Sequence, residues 1–361
     1  MLFQPFQLGD IPLRNRLVMA PMTRNRADAN HVPTPIMAEY YGQRAAMGLL
    51  ITEGVAPSPN GAGYARIPGM YTAEQVAAWR PVTEAVHARD GRIFMQMMHT
   101  GRASHVANLP AGAIVVGPAA TPMPGEIWTD AQGMQPPSVP HALTDADIQT
   151  VIAEFVQSAT LAIEAGFDGV ELHAANGYLL EEFLNANVNT RSDAWGGSAA
   201  ARNRLVLDVA RAVSAAIGAG RVGIRLSPFG AFNATGPFEG VETQYFELAA
   251  ALGAMKLAYL HLVDHSSMGA PAIAAEFKAA MRSAFAGVFI GSGGLDKDSA
   301  SRLLADGKAD LVAFGRAALA NPDLVERLIE DLPLNAPDFT TFYTPGEKGY
   351  TDYPALEAGV A

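Results

Sequence analysis

The chain contains no cysteine. That excludes a disulfide framework, a thiolate-held iron–sulfur cluster, a thiolate zinc site and a cysteine nucleophile. Charge is also sparse: 17% of the 361 residues are Asp, Glu, Lys or Arg, and 36 acidic residues outnumber 25 basic ones, for a net charge of −11. Nucleic acid and anionic membrane surfaces need a basic patch, so neither is an expected partner. No run approaches the roughly 18 apolar residues of a membrane span. A dinucleotide fingerprint of the form G-x-G-x-x-G is missing as well. The nearest approach, Gly291-Ser-Gly-Gly294, has Asp296 where the last glycine would stand. His99 and His105 lie six apart, outside the usual zinc spacings, and no metal is expected. The first ten residues, Met1 to Asp10, show no basic segment followed by an apolar one, so the expected location is cytoplasmic.

What is present is apolar and regularly spaced. Hydrophobic residues make up 49% of the chain, enough for a generous core. Eight short apolar runs recur: Leu17–Ala20, Leu49–Thr52, Ile93–Met98, Val170–His173, Val222–Leu226, Tyr259–Val263, Val288–Gly291 and Leu311–Gly315. Amphipathic stretches separate them, including 74–88, 144–165, 198–217, 241–254, 296–305 and 321–330. Thr144-Asp-Ala-Asp reads as a helix start with Thr144 as N-cap. Strand–helix alternation argues for a parallel sheet, and eight units argue for closure into a (β/α)₈ barrel, which typically needs about 250 residues. The alternative is an open doubly wound sheet. Phe3 to Pro12 is expected to form a short hairpin closing the barrel floor, with Gly9-Asp10 at the turn. The segment 101–141 carries seven prolines and no long helical period. It follows the third strand, so it is expected to lie over the barrel mouth as a lid. No interdomain linker appears, and residues 1–361 are expected to form one domain.

Barrels of this kind do their chemistry at the C-terminal strand ends. The fourth run ends in His173, with Asn176 and Tyr178 close behind. A neutral His and an Asn can both donate to one oxygen, and a Tyr hydroxyl can give up a proton. The three suit a carbonyl whose oxygen gains charge while a nearby carbon is protonated; the alternative is a structural histidine. After the seventh and eighth runs stand Gly291-Ser-Gly-Gly294 and Gly315-Arg316, where phosphate sites recur in such barrels. Ordinary turn glycines would look the same. Gln96 and Arg225 are expensive inside a barrel unless paired. A heteroaromatic ring rich in carbonyls and nitrogens would pair them, as would an ion pair from Arg225 to Glu53 or Glu171.

Several stretches together resemble the old yellow enzyme family of FMN-dependent ene-reductases. They are Asn15–Arg24, Gln96-Met-Met-His-Thr-Gly-Arg102, His173-Ala-Ala-Asn-Gly-Tyr178, Asn189–Ser198, Phe314-Gly-Arg316 with Asn321-Pro-Asp-Leu, Thr341-Phe-Tyr343 and Gly349–Pro354. The resemblance spans essentially the whole chain and implies a (β/α)₈ barrel with FMN across its mouth. It implies that Thr23 bonds flavin O4, that Pro21, Met22 and Gly54 adjoin the ring, and that Gln96 pairs with the pyrimidine edge. Arg225 would lie near the N1–O2 side and stabilise the anionic reduced flavin. Gly293, Gly294, Gly315 and Arg316 match the phosphate positions. His173 and Asn176 match the pair that binds the substrate oxygen, Tyr178 the proton donor, and Tyr343 an aromatic on the substrate side. Met98 stands where many members have Trp beside the substrate. The implied reaction is ping-pong: NADPH or NADH reduces FMN, leaves, and an activated alkene takes its place. Hydride then reaches the β-carbon of an α,β-unsaturated carbonyl or nitro compound while Tyr178 protonates the α-carbon. Two other readings remain open, a flavin-free phosphate-binding lyase or isomerase and a non-catalytic flavin-binding protein. A monomer and a homo-oligomer are both compatible with the sequence.

Overall fold

A computed structural model describes residues 1–356. Eight parallel strands close into a barrel. They are β1 (Leu17–Met19), β2 (Leu49–Val55), β3 (Ile93–Met97), β4 (Gly169–Ala174), β5 (Val222–Leu226), β6 (Tyr259–Leu262), β7 (Phe289–Gly291) and β8 (Leu311–Phe314). Each lies within or around one of the eight apolar runs, and β8 pairs with β1 to complete the circle. The strands are short, apolar and buried on both faces, as strands between a packed interior and a ring of helices must be.

Side chains alternate across each strand. Val170 and Leu172 of β4 pack into the main core under the helices. The opposite set faces inward, and its lower members are apolar. Val18, Leu49, Phe94, Tyr259, Ile290 and Leu311 form one buried cluster with Leu8 and Leu13. Leu8 and Leu13 belong to an antiparallel hairpin, Phe6–Leu8 with Ile11–Leu13, whose turn residue Gly9 has φ +58°. The hairpin therefore plugs the barrel floor as expected. A Cβ on Gly223 would lie 2.2 Å from the Tyr259 ring, and one on Gly169 would lie 2.5 Å from the Phe94 ring. These glycines let two aromatic rings lie across a narrow barrel.

The helix at Asp145–Glu164 begins as its sequence indicates. Asp147 N–H donates to Thr144 Oγ1 (3.2 Å), and Thr144 N–H donates back to Asp147 Oδ2 (2.8 Å). Helices outside the six amphipathic stretches named above include Pro35–Gln43 and Ala275–Phe285. The stretch 321–330 starts later than its pattern suggests. Asn321 precedes a proline and is extended (φ −130°), so one short helix ends at Ala320 and the next runs Leu324–Ile329. Segment 101–141 is built rather than featureless. It holds a hairpin, Ile127–Thr129 with Gly133–Gln135, and a parallel pair, Val116–Gly117 with His141–Ala142. No helix of the described residues is long and apolar enough to cross a membrane.

Candidate active site

A cavity of about 580 Å³ opens at the C-terminal strand ends. It collects residues remote in sequence. The loop after β1 contributes Pro21, Met22 and Thr23; β3 contributes Gln96, followed by Met98; β4 and its loop contribute His173, Asn176 and Tyr178. Arg225 comes from β5, Gly293 and Gly294 follow β7, Gly315 and Arg316 follow β8, and Tyr343 comes from the C-terminal segment. A neighbouring cavity of about 310 Å³ shares Thr23, Tyr178 and Tyr343 and is walled by Met123, Ile127 and Trp128 of segment 101–141. Gly54 sits one layer behind: a Cβ there would lie 2.5 Å from Met98 Sδ.

The interior changes character just below this mouth. Gln96 Nε2 donates to Glu171 Oε1 at 2.8 Å, and Glu171 Oε2 accepts from His261 Nδ1 at 2.9 Å. Burial opposes the Glu171 charge, but His261 and Arg225 outweigh it and hold the carboxyl below its ordinary range. Burial lowers the pKa of His261, against the pull of Glu171. The pair is therefore a carboxylate receiving a hydrogen bond from a neutral imidazole. Arg225 is buried; among the described residues its Nη1 reaches Pro21 O at 3.5 Å and its Nε has no partner. Among the described residues no salt bridge joins it to Glu53 or Glu171. Glu53 instead accepts from Arg24 N–H (3.2 Å) and Tyr41 OH (3.3 Å).

His173 is 3% exposed, and its Nδ1 is buried without a partner. Burial, then the nearby Arg225 charge, push its pKa well below the usual value, so the ring is neutral. Asn176 has a left-handed backbone (φ 61°) and an unpartnered buried Oδ1. The Tyr178 ring packs edge-on to His173 at 5.1 Å and to Tyr64 at 5.9 Å. Burial, then Tyr64, hold the Tyr178 phenol well above its usual pKa, so it keeps its proton.

At the other end Gly293 (φ 122°) and Gly294 (φ 65°) are required by both conformation and space. Their Cβ atoms would lie 2.9 Å from Asp264 Cβ and 2.4 Å from Ser267 Cβ. Arg316 stands exposed at the rim, its guanidinium 5.7 Å from the Phe339 ring centre. The cavity thus offers an unsatisfied cation (Arg225), an amide oriented from below (Gln96), neutral donors, and a glycine-lined rim beside an arginine. A planar heteroaromatic ring on a phosphate tail fits that set. Inspection of the sequence did not single out His261, Tyr64, Phe232 or Ser267. His261 shares the inward phase of β6 with Tyr259, which is the signal that would have found it.

A closed parallel barrel with a cavity at its C-terminal strand ends has the architecture of a (β/α)₈ enzyme. Residues 1–335 match the model of the NADH:flavin oxidoreductase / NADH oxidase family. A probable flavin mononucleotide-dependent alkene reductase of Leishmania infantum is 40% identical over 98% of this chain and 97% of its own length. The 12-oxophytodienoate reductase 1 of Oryza sativa subsp. japonica is 42% identical over 99% of this chain and 93% of its own. Among solved structures, morphinone reductase superposes with a TM-score of 0.95 at 42% identity, covering 100% of this chain and 97% of that one. The chain belongs to this family, the FMN-dependent old yellow enzymes.

The placement of Gly54 makes a stability prediction. Gly54→Ala must displace Met98 and is expected to cost about 1–3 kcal/mol in urea unfolding. In the Gly54→Ala/Met98→Ala double variant the added methyl has room, so the two effects should fall short of additive. Full additivity would show that Met98 does not cover Gly54.

Proposed function

We propose that this enzyme uses NADPH or NADH to reduce the C=C bond of α,β-unsaturated carbonyl or nitro compounds. The observation that carries the reading is that His173, Asn176 and Tyr178 line the same cavity as Thr23, Gln96 and Arg225. Relatives named for alkene and 12-oxophytodienoate reduction support an activated alkene as substrate. A morphinone reductase structure in complex with tetrahydroNAD, 42% identical, supports a nicotinamide as reductant.

FMN, when bound, supplies the two-electron relay between nicotinamide and alkene. Thr23, Gln96 and Arg225 would hold its ring, with Pro21, Met22 and Gly54 beside or behind it, and Gly293, Gly294, Gly315 and Arg316 its phosphate. Arg225 keeps a positive charge with an unsatisfied Nε–H, suited to an electron-rich ring edge. His173 and Asn176 take the substrate oxygen. As hydride arrives at the β-carbon, negative charge builds on that oxygen, and two fixed donors meet it without reorganising. Tyr178, protonated and beside His173, delivers the proton to the α-carbon. Met98, Tyr343 and the lid residues Ile127 and Trp128 wall the substrate side. No observation favours a flavin-free lyase or a non-catalytic flavin binder.

The test is anaerobic: bleach the yellow protein with limiting NADPH, then add 2-cyclohexenone. Colour should return, and in Tyr178→Phe it should return about 10²–10⁴-fold more slowly while bleaching is nearly normal. Unchanged recovery in that variant would remove Tyr178 as proton donor. His173→Ala should weaken binding of a phenol and slow enone turnover by an amount equivalent to about 3 kcal/mol; wild-type values for both would refute the oxyanion site. Arg316→Ala should be purified depleted of FMN, and full occupancy after dialysis would exclude its phosphate role.

A further inference from the structure

Between the two side chains assigned to the substrate lies a turn that needs explaining. Asn176 (φ 61°) and Gly177 (φ 72°) are consecutive left-handed residues. A Cβ on Gly177 would lie 2.5 Å from Phe232 O, so the turn is pressed against the loop after β5. From that side Asn233 Nδ2 donates to Asn176 O at 2.8 Å. On the other side the two backbone N–H groups are tied to one carboxyl, Gly177 directly and Asn176 through the Ser227 hydroxyl. Gly177 N–H donates to Glu181 Oε2 at 2.5 Å. Asn176 N–H donates to Ser227 Oγ at 2.8 Å, and Ser227 Oγ donates to Glu181 Oε1 at 2.8 Å.

Glu181 belongs to the short helix Leu179–Leu184, whose N-cap is Tyr178. An N-cap side chain ordinarily bonds the first-turn N–H groups. The Tyr178 side chain makes no such bond, because it lines the cavity. Glu181, the third residue of the helix, instead reaches back past the N-cap to Gly177 N–H, a variation on the reach of a capping-box residue. Its location is costly: Glu181 is 1% exposed, and burial pushes its carboxyl up to about 8, with Gly177 and Ser227 pulling the other way. An apolar residue would fill the same volume without that cost. Ser227 stands two residues beyond Arg225, so the same carboxyl ties the β4 loop to the strand carrying the cofactor-facing cation.

We infer that Glu181 is a positioning residue. Through Gly177 and Ser227 it fixes the turn that sets the Asn176 amide and the Tyr178 hydroxyl relative to His173 and Arg225. This rests on the roles proposed above for Asn176 and Tyr178.

The test compares Glu181→Met, Glu181→Gln and Ser227→Ala as FMN-loaded proteins. Three quantities are read: the Kd of 4-chlorophenol, the rate of anaerobic reoxidation by 2-cyclohexenone, and the solvent isotope effect on that rate. Glu181→Met keeps the volume and loses both acceptors. It should raise the phenol Kd about tenfold, slow reoxidation about 10–100-fold and enlarge the isotope effect, because a small misplacement of reacting groups is costly. Glu181→Gln retains an acceptor for Gly177 N–H and should recover to within about threefold of wild type in rate, the residual set by one weakened hydrogen bond. Ser227→Ala, which removes the link from Asn176 to Glu181 but leaves the Gly177 bond, should weaken phenol binding more than it slows reoxidation. The inference is overturned if Glu181→Met binds FMN and matches wild type in phenol affinity and isotope effect, or if Glu181→Gln is as impaired as Glu181→Met. Should Glu181→Met fail to fold, wild-type phenol binding by Ser227→Ala overturns it. If Tyr178→Phe and His173→Ala themselves leave turnover unchanged, the functional reading fails rather than this one.

Discussion

The upper half of the barrel interior depends on one buried carboxylate. Glu171 accepts from Gln96 on one side and from His261 on the other. Burial lowers the pKa of Arg225, and Glu171 is the first of the nearby charges that oppose that fall. A buried cation without an anion in the same low-dielectric region would be strongly destabilising. With Glu171 in place Arg225 can keep its charge without being neutralised by direct contact, and its Nε remains unpartnered. Gln96 is oriented by the same carboxylate. Its Nε2 is committed downward, which leaves Oε1 free for the cavity. The Arg225 charge, added to burial, then keeps His173 neutral. One anion below the site thus allows one cation and one neutral imidazole above it.

The mouth is closed by a second set of cations that spend their donors on backbone. Arg24 follows Thr23 directly and donates to Phe342 O (3.1 Å) and Gly349 O (2.6 Å). Arg26 donates to Phe342 O (2.8 Å), Thr341 O (2.9 Å) and Lys348 O (3.0 Å). Tyr350 stacks on Tyr40 with ring centres 4.0 Å apart. A planar guanidinium with five donors suits such carbonyl clusters better than an ammonium would. The result is that Tyr343 is delivered to the cavity although it lies far along the chain from the barrel's first strand. The segment that presents Pro21, Met22 and Thr23 to the site therefore also anchors the C-terminal wall.

Much of this was legible from the residues. Strands buried on both faces appear as short apolar runs separated by helical stretches, and all eight fall where the runs do. Thr144 carries its own cap chemistry within four residues, so local sequence suffices. The site residues resemble a family pattern, and fourteen of the fifteen named positions line one cavity, Gly54 alone standing behind Met98. What escaped reading depends on register rather than on local pattern. Gln96 and Glu171 are 75 residues apart and Glu171 and His261 are 90 apart; only the strand order and register of the sheet make them neighbours. The ends of the last two helices depend on Asn321 being forced extended by Pro322, which a periodicity over 321–330 does not register. The strands in segment 101–141 are two or three residues long, too short for alternation to declare itself.

If His173 and Asn176 hold the substrate oxygen as proposed, their neutrality would let one cavity serve two substrates in turn. A nicotinamide carboxamide and an enone carbonyl both present a neutral oxygen, and neutral donors such as His173 and Asn176 would suit either one. A permanently charged imidazolium would favour an oxyanion over either ground state, and would hold an enolate rather than let it collect a proton. A neutral donor strengthens as charge develops and relaxes as charge is lost, which is the differential binding that accelerates a step without trapping its product. The same reasoning explains why Tyr178 is held protonated, well above its usual pKa, by burial and by Tyr64. In the role proposed for it, Tyr178 would lose that proton only when a carbon beside it has become basic. A more acidic phenol would be ionised beforehand, placing a second negative charge where the substrate oxygen is about to develop its own.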